Sequence, residues 1–216
     1  HVRYEAVPIW ADYHPTKPGA AQGGRSLLPL PFDGRRLGRR FADLRAPLKT
    51  MMALGGMMLG RGDLPHVFRM TRSARSAFHV AGMTARYAAD RLKHARGTRL
   101  ANGNALIAAL ALSAEERGID LWLSSPVVEL VQRDGSVVGA IVQRDGKPLE
   151  VLAKRGVVLA CGGFPADDGL KRRYYGHVRD GRQHRSAPPP GNRGDGIRLG
   201  QTAGGALAQD VAYAAA

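Results

Sequence analysis

The segment Arg155 to Phe164, RGVVLACGGF, constrains the fold of this chain more than any other. Apolar residues follow one another without alternation from Val157 to Ala160, which is typical of a strand buried on both faces of a parallel α/β sheet. Two glycines follow, and they leave no side chain between the backbone and a ligand at the carboxyl end of the strand, where open α/β sheets bind cofactors. The segment therefore predicts a central strand that ends at a nucleotide cofactor.

Three strand-like stretches lie immediately upstream and are joined by short turns. They cover residues 126–134, 136–145 and 147–156 and are rich in Val, Leu and Ile. The dipeptides Asp134-Gly135 and Asp145-Gly146 that join them are typical of two-residue hairpin turns. This pattern predicts an antiparallel β-meander of three strands.

Helices are predicted earlier in the chain. Residues 102–118 form a helical pattern with Asn102 as cap, Gly118 as the end and charges only in the last turn, and a further strand is predicted over 119–125. The apolar positions of this helix are Leu106, Ile107, Leu110 and Leu112. A longer helix is predicted within 71–96, with Thr71 or Ser73 as cap and an apolar face through Phe78, Met83 and Tyr87. The resulting order is helix, strand, meander and a buried strand over 156–160.

Composition indicates a globular protein without a metal or disulfide framework. The chain has 216 residues, of which 44% are apolar, enough for a buried core. Its single cysteine, Cys161, excludes an intramolecular disulfide, and its seven histidines form no HExxH pair. No run of 18 apolar residues and no signal-peptide pattern occur, so we expect a cytoplasmic protein without a transmembrane segment.

The net charge of +14 is concentrated in the first part of the chain. Residues 1–98 hold 17 Lys and Arg against 6 Asp and Glu, whereas residues 99–165 are balanced. No aromatic residues alternate with these charges to stack bases, so nucleic-acid binding is not expected. A basic surface that meets an acidic partner remains an alternative.

Several motifs point to or away from nucleotide chemistry. GGMMLGRG (55–62) has the glycine spacing of a phosphate loop but lacks the required Lys-Ser/Thr, and GxGxxG occurs nowhere. The Gly194-Asp195-Gly196 turn opens a short helix whose backbone amides can hold an anion or a carbonyl oxygen. Met51, Met52, Met57 and Met58 form a cluster that fits either the core or an apolar substrate wall.

Five blocks in order carry a family resemblance. They are WADYHPTKPGAAQGGRSLLPLPFDGRRLG (10–38), RLANGNALIAAL (99–110), the meander beginning Pro126-Val127-Val128, GVVLACGGF (156–164) and GNRGDGIRLGQTAGGAL (191–207). Together they resemble the FAD-dependent 3-ketosteroid dehydrogenase and fumarate reductase family, and the first block is most similar to the ketosteroid dehydrogenase branch. The chain differs in having Cys161 for the family's usual Thr in Ala-Thr-Gly-Gly, and Thr16 for Glu in Asp-Tyr-x-Pro-Glu.

The resemblance implies an α/β fold that is a portion of a two-dinucleotide-type FAD-binding domain, with a three-stranded β-meander and a helical excursion over about 45–97. This FAD-binding domain would cover residues 1–164, and residues 165–216 would start a substrate or capping domain. Because GxGxxG is missing, we expect the chain to begin after that fingerprint. On its own it is then expected to bind FAD weakly or not at all, without turnover.

The resemblance also implies the positions of the site. Residues implied to bind the cofactor FAD are Val127 and Val128 beside the adenine, Ala160, Cys161, Gly162 and Gly163 in the dinucleotide crevice, Gly194, Asp195 and Gly196 towards the flavin or substrate, and Asn102, Gly103 and Asn104 nearby. Tyr13 is the candidate catalytic residue, a tyrosine that supports proton removal, and its alternative role is to anchor its own proline-rich loop.

The activity implied is that of an FAD-dependent oxidoreductase acting on CH–CH bonds next to a ketone, with an apolar ketone or steroid-like small molecule as substrate. Two alternatives remain open from the residues. One is a basic, non-enzymatic binding module for nucleic acid or an acidic partner, which the net charge favours. The other is a nicotinamide-dependent reductase, because that class shares the β-meander.

Overall fold

The structure is a computed structural model that describes residues 2–184 and 188–207. These residues form two compact units, one within residues 1–121 and one within residues 122–216. Each unit is described by itself. The predicted domains, 1–164 and 165–216, stay a prediction, and residues 208–216 of the second lie outside the described residues.

The strands of the first unit are short and pair in twos, all antiparallel. The pairs are β1 (Tyr4–Ala6) with β2 (Leu27–Pro29), β3 (Phe32–Asp33) with β6 (Arg99–Leu100), and β4 (Met52–Ala53) with β5 (Met57–Met58). Short 3₁₀ helices cover Gly34–Phe41, Lys49–Met51 and Arg61–Asp63. The proline- and glycine-rich start of the chain is thus an ordered loop region held by small ladders.

Among its described residues, the first unit contains the two helices that the sequence predicts, close to their expected bounds, and a shorter one that the sequence does not predict. They are α1 (Leu64–Arg69), α2 (Ala74–Arg91) and α3 (Asn102–Glu116). Ser73 caps α2 by accepting the N–H of Ser76, and Gly118 follows α3 with a φ of +64°, a conformation that glycine adopts without strain. The predicted cap of α3 is wrong, because Ala101 holds the extended N-cap conformation and Asn102 is already the first residue of the helix.

Helix α3 contributes mainly alanines, rather than leucines, to the core of the first unit. Its buried members are Phe32, Leu37, Phe41, Met58, Leu100, Ala101, Ala105, Ala108, Ala109 and Leu112. Of the predicted apolar face only Leu112 is buried, whereas Ile107 and Leu110 are about half exposed. On α2 the predicted face is likewise only partly correct, because Met83 and Tyr87 are half-buried but Phe78 is 79% exposed.

The second unit contains the predicted β-meander. Strands β7 (Val127–Arg133), β8 (Ser136–Arg144) and β9 (Lys147–Leu152) form an antiparallel sheet with β8 in the middle. All four residues of the dipeptides Asp134-Gly135 and Asp145-Gly146 have a positive φ, between 51° and 76°, as a type I′ turn requires. The meander and both turns are therefore confirmed.

The predicted strands at 119–125 and 156–160 are wrong. Both segments lack a ladder in the described residues, and Val158 and Leu159 are 89% and 36% exposed. An apolar run becomes a central strand only when neighbouring strands supply its hydrogen bonds on both sides. The described residues of the second unit place no such strand beside 156–160.

Short helices complete the second unit. They are α4 (Asp168–Tyr174), α5 (Gly176–Arg179) and α6 (Asp195–Thr202). Helix α6 packs on the meander through Leu199, which meets Leu130 and Ala140 in a small core. Among the helices of the described residues, none has the length and hydrophobicity needed to cross a membrane.

Candidate functional site

Two segments predicted to bind a cofactor come together in the second unit. The Gly163 carbonyl accepts the N–H of Gly194 at 3.1 Å. At Gly196 a Cβ would lie 3.7 Å from the Sγ of Cys161, so the start of α6 lies directly against the segment Ala160–Gly163. Residues that are more than thirty positions apart in the sequence thus form one surface.

Glycine is required at two positions of this surface by the packing of the chain itself. Gly162 has a φ of +76°, and a Cβ there would lie 2.9 to 3.0 Å from the side-chain amide of Asn192. Gly194 has a φ of +83°, and a Cβ there would lie 2.6 Å from Leu170 Cδ1 and 3.2 Å from Phe164 Cβ. A larger residue at either position would separate the two segments.

The charges at the start of α6 are already balanced. The Asp195 carboxylate, at the positive end of the helix, accepts a hydrogen bond from the guanidinium of Arg198. Arg198 also donates to the carbonyl of Arg193 at 2.7 Å. Because a carboxylate occupies the helix start, this end of α6 suits a neutral acceptor such as a carbonyl or hydroxyl oxygen better than a further anion.

A cleft of about 320 Å³ opens along this surface. Its described walls are Leu159, Cys161, Gly162, Gly196, Ile197, Gly200, Gln201, Gly205, Ala206 and Leu207. Most of these walls are backbone or small side chains, so a flat ring or an extended chain can approach closely, and Cβ atoms at the glycines would narrow the space. The residues present therefore fit one portion of a dinucleotide such as FAD.

The other predicted adenine contacts lie on the meander. Val127 and Val128 begin β7 and are 37% and 49% exposed. Strand β7 packs on α6 through Leu130 and Leu199, so the two valines belong to an element that borders the glycine surface. Their contact with adenine stays a prediction.

A larger, apolar cavity of about 620 Å³ lies in the first unit. Its walls include Trp10, Leu28, Pro29, Thr50, Met51, Met52, Ala53, Leu59, Gly60, Arg61, Leu64, Asn102, Gly103 and Leu106. Apolar walls with a few polar groups are typical of small-molecule sites. The methionine cluster thus divides in two: Met51 and Met52 line the cavity, and Met57 and Met58 are buried in the core.

The segment Asn102-Gly103-Asn104 belongs partly to this cavity. Asn102 and Gly103 line it at the start of α3, and Asn102 has a φ of +51°. Asn104 instead donates its side-chain N–H to the carbonyl of Arg45 at 2.7 Å. Asn104 therefore has a structural contact in this unit, and its role towards a cofactor stays a prediction.

Tyr13 lies in a surface loop and is 96% exposed. Asp12 holds the loop together, because its carboxylate accepts the N–H of Ala21 at 2.9 Å and pairs with Arg25 at 2.9 Å. Asp12 thus holds this loop, and the alternative role of Tyr13 as a loop anchor stays a prediction. Trp10 lines the apolar cavity, but Tyr13 is not among the described residues that do so. The catalytic role of Tyr13 stays a prediction.

A buried ionic network beside the cavity was not predicted. Asp63 is 2% exposed and accepts hydrogen bonds from the N–H of Gly60 at 2.7 Å, from Arg99 at 2.7 Å and from His79 at 3.0 Å. The ring of His79 stacks on that of His66, with centroids 4.2 Å apart. Burial raises the pKa of Asp63, but these hydrogen bonds lower it by more, so the net pKa lies below its ordinary value. Gly-x-x-Asp at 60–63 is the sequence signal that marks this turn.

The family described as "FAD binding domain" matches residues 4–215. A 4-oxocyclohex-2-ene-1-carboxylate 5-dehydrogenase of Sinomonas cyclohexanicum is 34% identical over 91% of this chain and 33% of its own length. A 3-oxosteroid 1-dehydrogenase of Comamonas testosteroni is 33% identical over 80% of this chain and 31% of its own length. The chain thus spans about a third of the length of these curated relatives.

One solved structure is similar along nearly the whole chain. It is a 3-ketosteroid delta1-dehydrogenase from Sterolibacterium denitrificans in complex with 1,4-androstadiene-3,17-dione, with a TM-score of 0.76, 30% sequence identity, and coverage of 94% of this chain and 37% of that chain. The predicted FAD-binding fold and the predicted cofactor class are confirmed by these matches. This chain therefore belongs to the FAD binding domain family.

Proposed function

We propose that this chain is the FAD-binding region of a flavin-dependent dehydrogenase that introduces a double bond next to a ketone in an apolar, ring-shaped substrate. The observation that carries the proposal is the contact between Ala160–Gly163 and the start of α6, which forms the cleft. Two relatives named for the dehydrogenation of ring ketones support the substrate class.

The cleft residues would hold FAD by backbone contacts. Gly162 and Gly163 leave room for the cofactor, and the amides at the start of α6 can donate to an oxygen of the flavin or of the substrate. When bound, FAD supplies the acceptor for the hydride that leaves the substrate. Asp195 and Arg198 balance each other there, so the start of α6 adds little net charge beside the substrate ketone.

The apolar cavity of the first unit would exclude water and orient the substrate by shape. Trp10, Met51, Met52 and Leu106 supply flat or flexible apolar walls, and Thr50 and Asn102 can donate to an oxygen. We further propose Tyr13 as the group that supports proton removal. A phenol has an ordinary pKa of about 10, so this role requires neighbours that stabilise the phenolate in the substrate complex.

The cofactor part is tested by FAD titration of the full-length protein, followed through the flavin absorption band. Cys161 is exposed and lines the cleft, so Cys161→Phe fills the space without disturbing the core. We expect it to raise the Kd for FAD by about tenfold or more, since losing about 1.4 kcal/mol of binding has that effect. Cys161→Ser is the matched control and should leave the Kd unchanged; equal affinity in both variants would contradict the proposed cofactor site.

The substrate part is tested by steady-state turnover of a neutral ring ketone with an artificial electron acceptor. Tyr13→Phe is expected to lower kcat by about a hundredfold or more while KM changes little, because proton transfer contributes about that much. Unchanged kcat would remove Tyr13 from the chemistry and leave the FAD proposal intact.

A cytoplasmic location and the absence of nucleic-acid binding remain part of this proposal. Salt-sensitive DNA binding in a gel shift would instead favour the basic, non-enzymatic binding module.

A further inference from the structure

Helices α1 and α2 form a hairpin whose outer side is apolar. Phe68, near the end of α1, is 78% exposed, and Phe78, in the second turn of α2, is 79% exposed. Met70 in the connecting turn is 46% exposed. Large apolar side chains with this exposure, gathered around one turn, mark an interaction surface rather than a solvated one.

The outer face of α2 is formed mostly by small and apolar residues, with Arg75 and Arg86 at its margins. The side that faces the unit is lined by Ser76, Val80, Met83, Tyr87 and Asp90. The opposite, exposed side consists largely of Ala77, Phe78, Ala81, Gly82, Ala85, Ala88 and Ala89. A surface helix normally places charged and polar residues on this side, so the face is suited to a non-aqueous contact.

The exposed charges of the hairpin have one sign. The single carboxylate within residues 64–91 is the buried Asp90, and the arginines that precede it are Arg69, Arg72, Arg75 and Arg86. Arg86 lies 3.5 Å from Asp33, whereas the exposed side chains of the other three form no ion pair with the described residues. Arg75 and Phe78 are three positions apart on α2 and therefore share a face.

We infer that this hairpin is a docking surface for an anionic lipid membrane. Phe68, Met70 and Phe78 would enter the boundary between headgroups and acyl chains, and Arg69, Arg72 and Arg75 would contact lipid phosphates. Aromatic residues beside arginines are the composition of helices that lie on such membranes. A second copy of the chain fits less well, because it would bring two sets of arginines together. The inference does not rest on the proposed function.

The test is flotation of the full-length protein with lipid vesicles. Vesicles of pure phosphatidylcholine are compared with vesicles of equal parts phosphatidylcholine and phosphatidylglycerol, at low salt and at about 0.5 M NaCl, where surface charges are screened within a few ångströms. We expect binding to the anionic vesicles that weakens with salt, and little binding to the neutral ones.

Two variants of the hairpin separate the charged and apolar contributions. Arg69→Gln with Arg72→Gln and Arg75→Gln is expected to lower the partition coefficient about a hundredfold, since each arginine near an anionic surface contributes about 1 kcal/mol. Phe68→Ser with Phe78→Ser is expected to lower it about tenfold or more, because buried apolar area is lost.

Matched controls remove the same charge and similar apolar area elsewhere. The charge control is Lys93→Gln with Lys154→Gln and Arg182→Gln, all exposed residues, and the apolar control is Leu54→Ser with Leu92→Ser, at 64% and 85% exposure. Both should bind vesicles as the wild type does. An equal loss in the charge control would overturn the inference, because it would show attraction by overall charge.

Two further results bear on the inference without depending on the variants. Hydrogen exchange of the wild type on anionic vesicles should slow within residues 64–91, and slowing confined to other segments would overturn it. Absence of wild-type binding to anionic vesicles would also overturn it and would mean that another part of the protein, a second copy or an acidic protein covers the hairpin.

Discussion

Replacing Asp63 by Asn is expected to destabilise the first unit, because this carboxylate joins three parts of the chain away from water. Its side chain is 3% exposed and accepts from Gly60 in the turn before α1, from His79 on α2 and from Arg99 on β6. Each of these contacts connects a different element. Removing the Asp63 carboxylate therefore destabilises the whole hairpin of α1 and α2.

The magnitude follows from what the amide keeps and loses. Breaking a buried ion pair by removing one partner costs about 3–5 kcal/mol, and an Asn side chain retains one acceptor that recovers about 1 kcal/mol. The Arg99 side chain is 27% exposed, so water partly solvates it once it is unpaired. We expect Asp63→Asn to lower the free energy of unfolding by about 2–3 kcal/mol.

The effect depends on pH in a direction fixed by the pKa of Asp63. Burial raises this pKa, but the hydrogen bonds from His79, Gly60 and Arg99 outweigh it, so the carboxyl of the folded protein has a pKa below its ordinary value. Such a group stabilises the fold fully above its unfolded pKa of about 4, and the contribution disappears as the pH falls through the folded value. The difference between wild type and Asp63→Asn should therefore be largest near neutral pH and shrink in acid.

The assay is urea denaturation followed by far-ultraviolet circular dichroism. The matched control in the same unit is Glu115→Gln, which removes a carboxylate from a surface pair 3.6 Å from Arg40, with side chains 46% and 39% exposed. An exposed pair of this kind contributes about 0–1 kcal/mol. If Asp63→Asn costs no more than Glu115→Gln, the reasoning from burial is refuted.

Three further substitutions have expected outcomes of different sign. A Cβ at Gly82, on the exposed side of α2, would have no atom within 4 Å, so Gly82→Ala should raise the free energy of unfolding by about 0.8–1 kcal/mol in the same denaturation assay. Destabilisation would contradict the finding that a methyl group fits there. Gly139→Ala places a Cβ 2.3 Å from the carbonyl oxygen of Val151 in β9 and should destabilise the meander by about 1–3 kcal/mol, whereas an unchanged midpoint would refute the close approach. Met52→Lys puts a charge in the apolar cavity and should weaken binding of a neutral ring ketone about tenfold or more in a fluorescence titration; undiminished binding would exclude this cavity as the substrate site.

Local chemistry explains what the sequence could predict of the fold. Asp134-Gly135 and Asp145-Gly146 need only their own backbone conformations to turn the chain, and Ser73 and Gly118 mark helix ends within a few residues. The strand predicted at 156–160 fails because its assignment depends on partner strands, which no local pattern contains. On α3 the contacts favour the small alanines, which allow close approach, over the larger Ile107 and Leu110.

The candidate site was predictable only where its residues are contiguous. The glycines of 160–163 and 194–196 have short motifs, and the structure brings these motifs together. The apolar cavity combines Trp10, Met52 and Leu106, which are tens of positions apart, so its existence depends on the fold. The same holds for Asp63, whose partners come from three separate elements.

The two outer strands of the meander differ in how they resist unwanted pairing with other molecules. Strand β9 carries Pro148, which has no N–H to offer, next to the charged Lys147. Strand β7 has no proline and begins with two valines that are 37% and 49% exposed. Its pairing with β8 instead has two register shifts, at Val127/Glu129 and Val131/Gln132, and such irregularities also disfavour intermolecular strand addition, the first step of β-type aggregation.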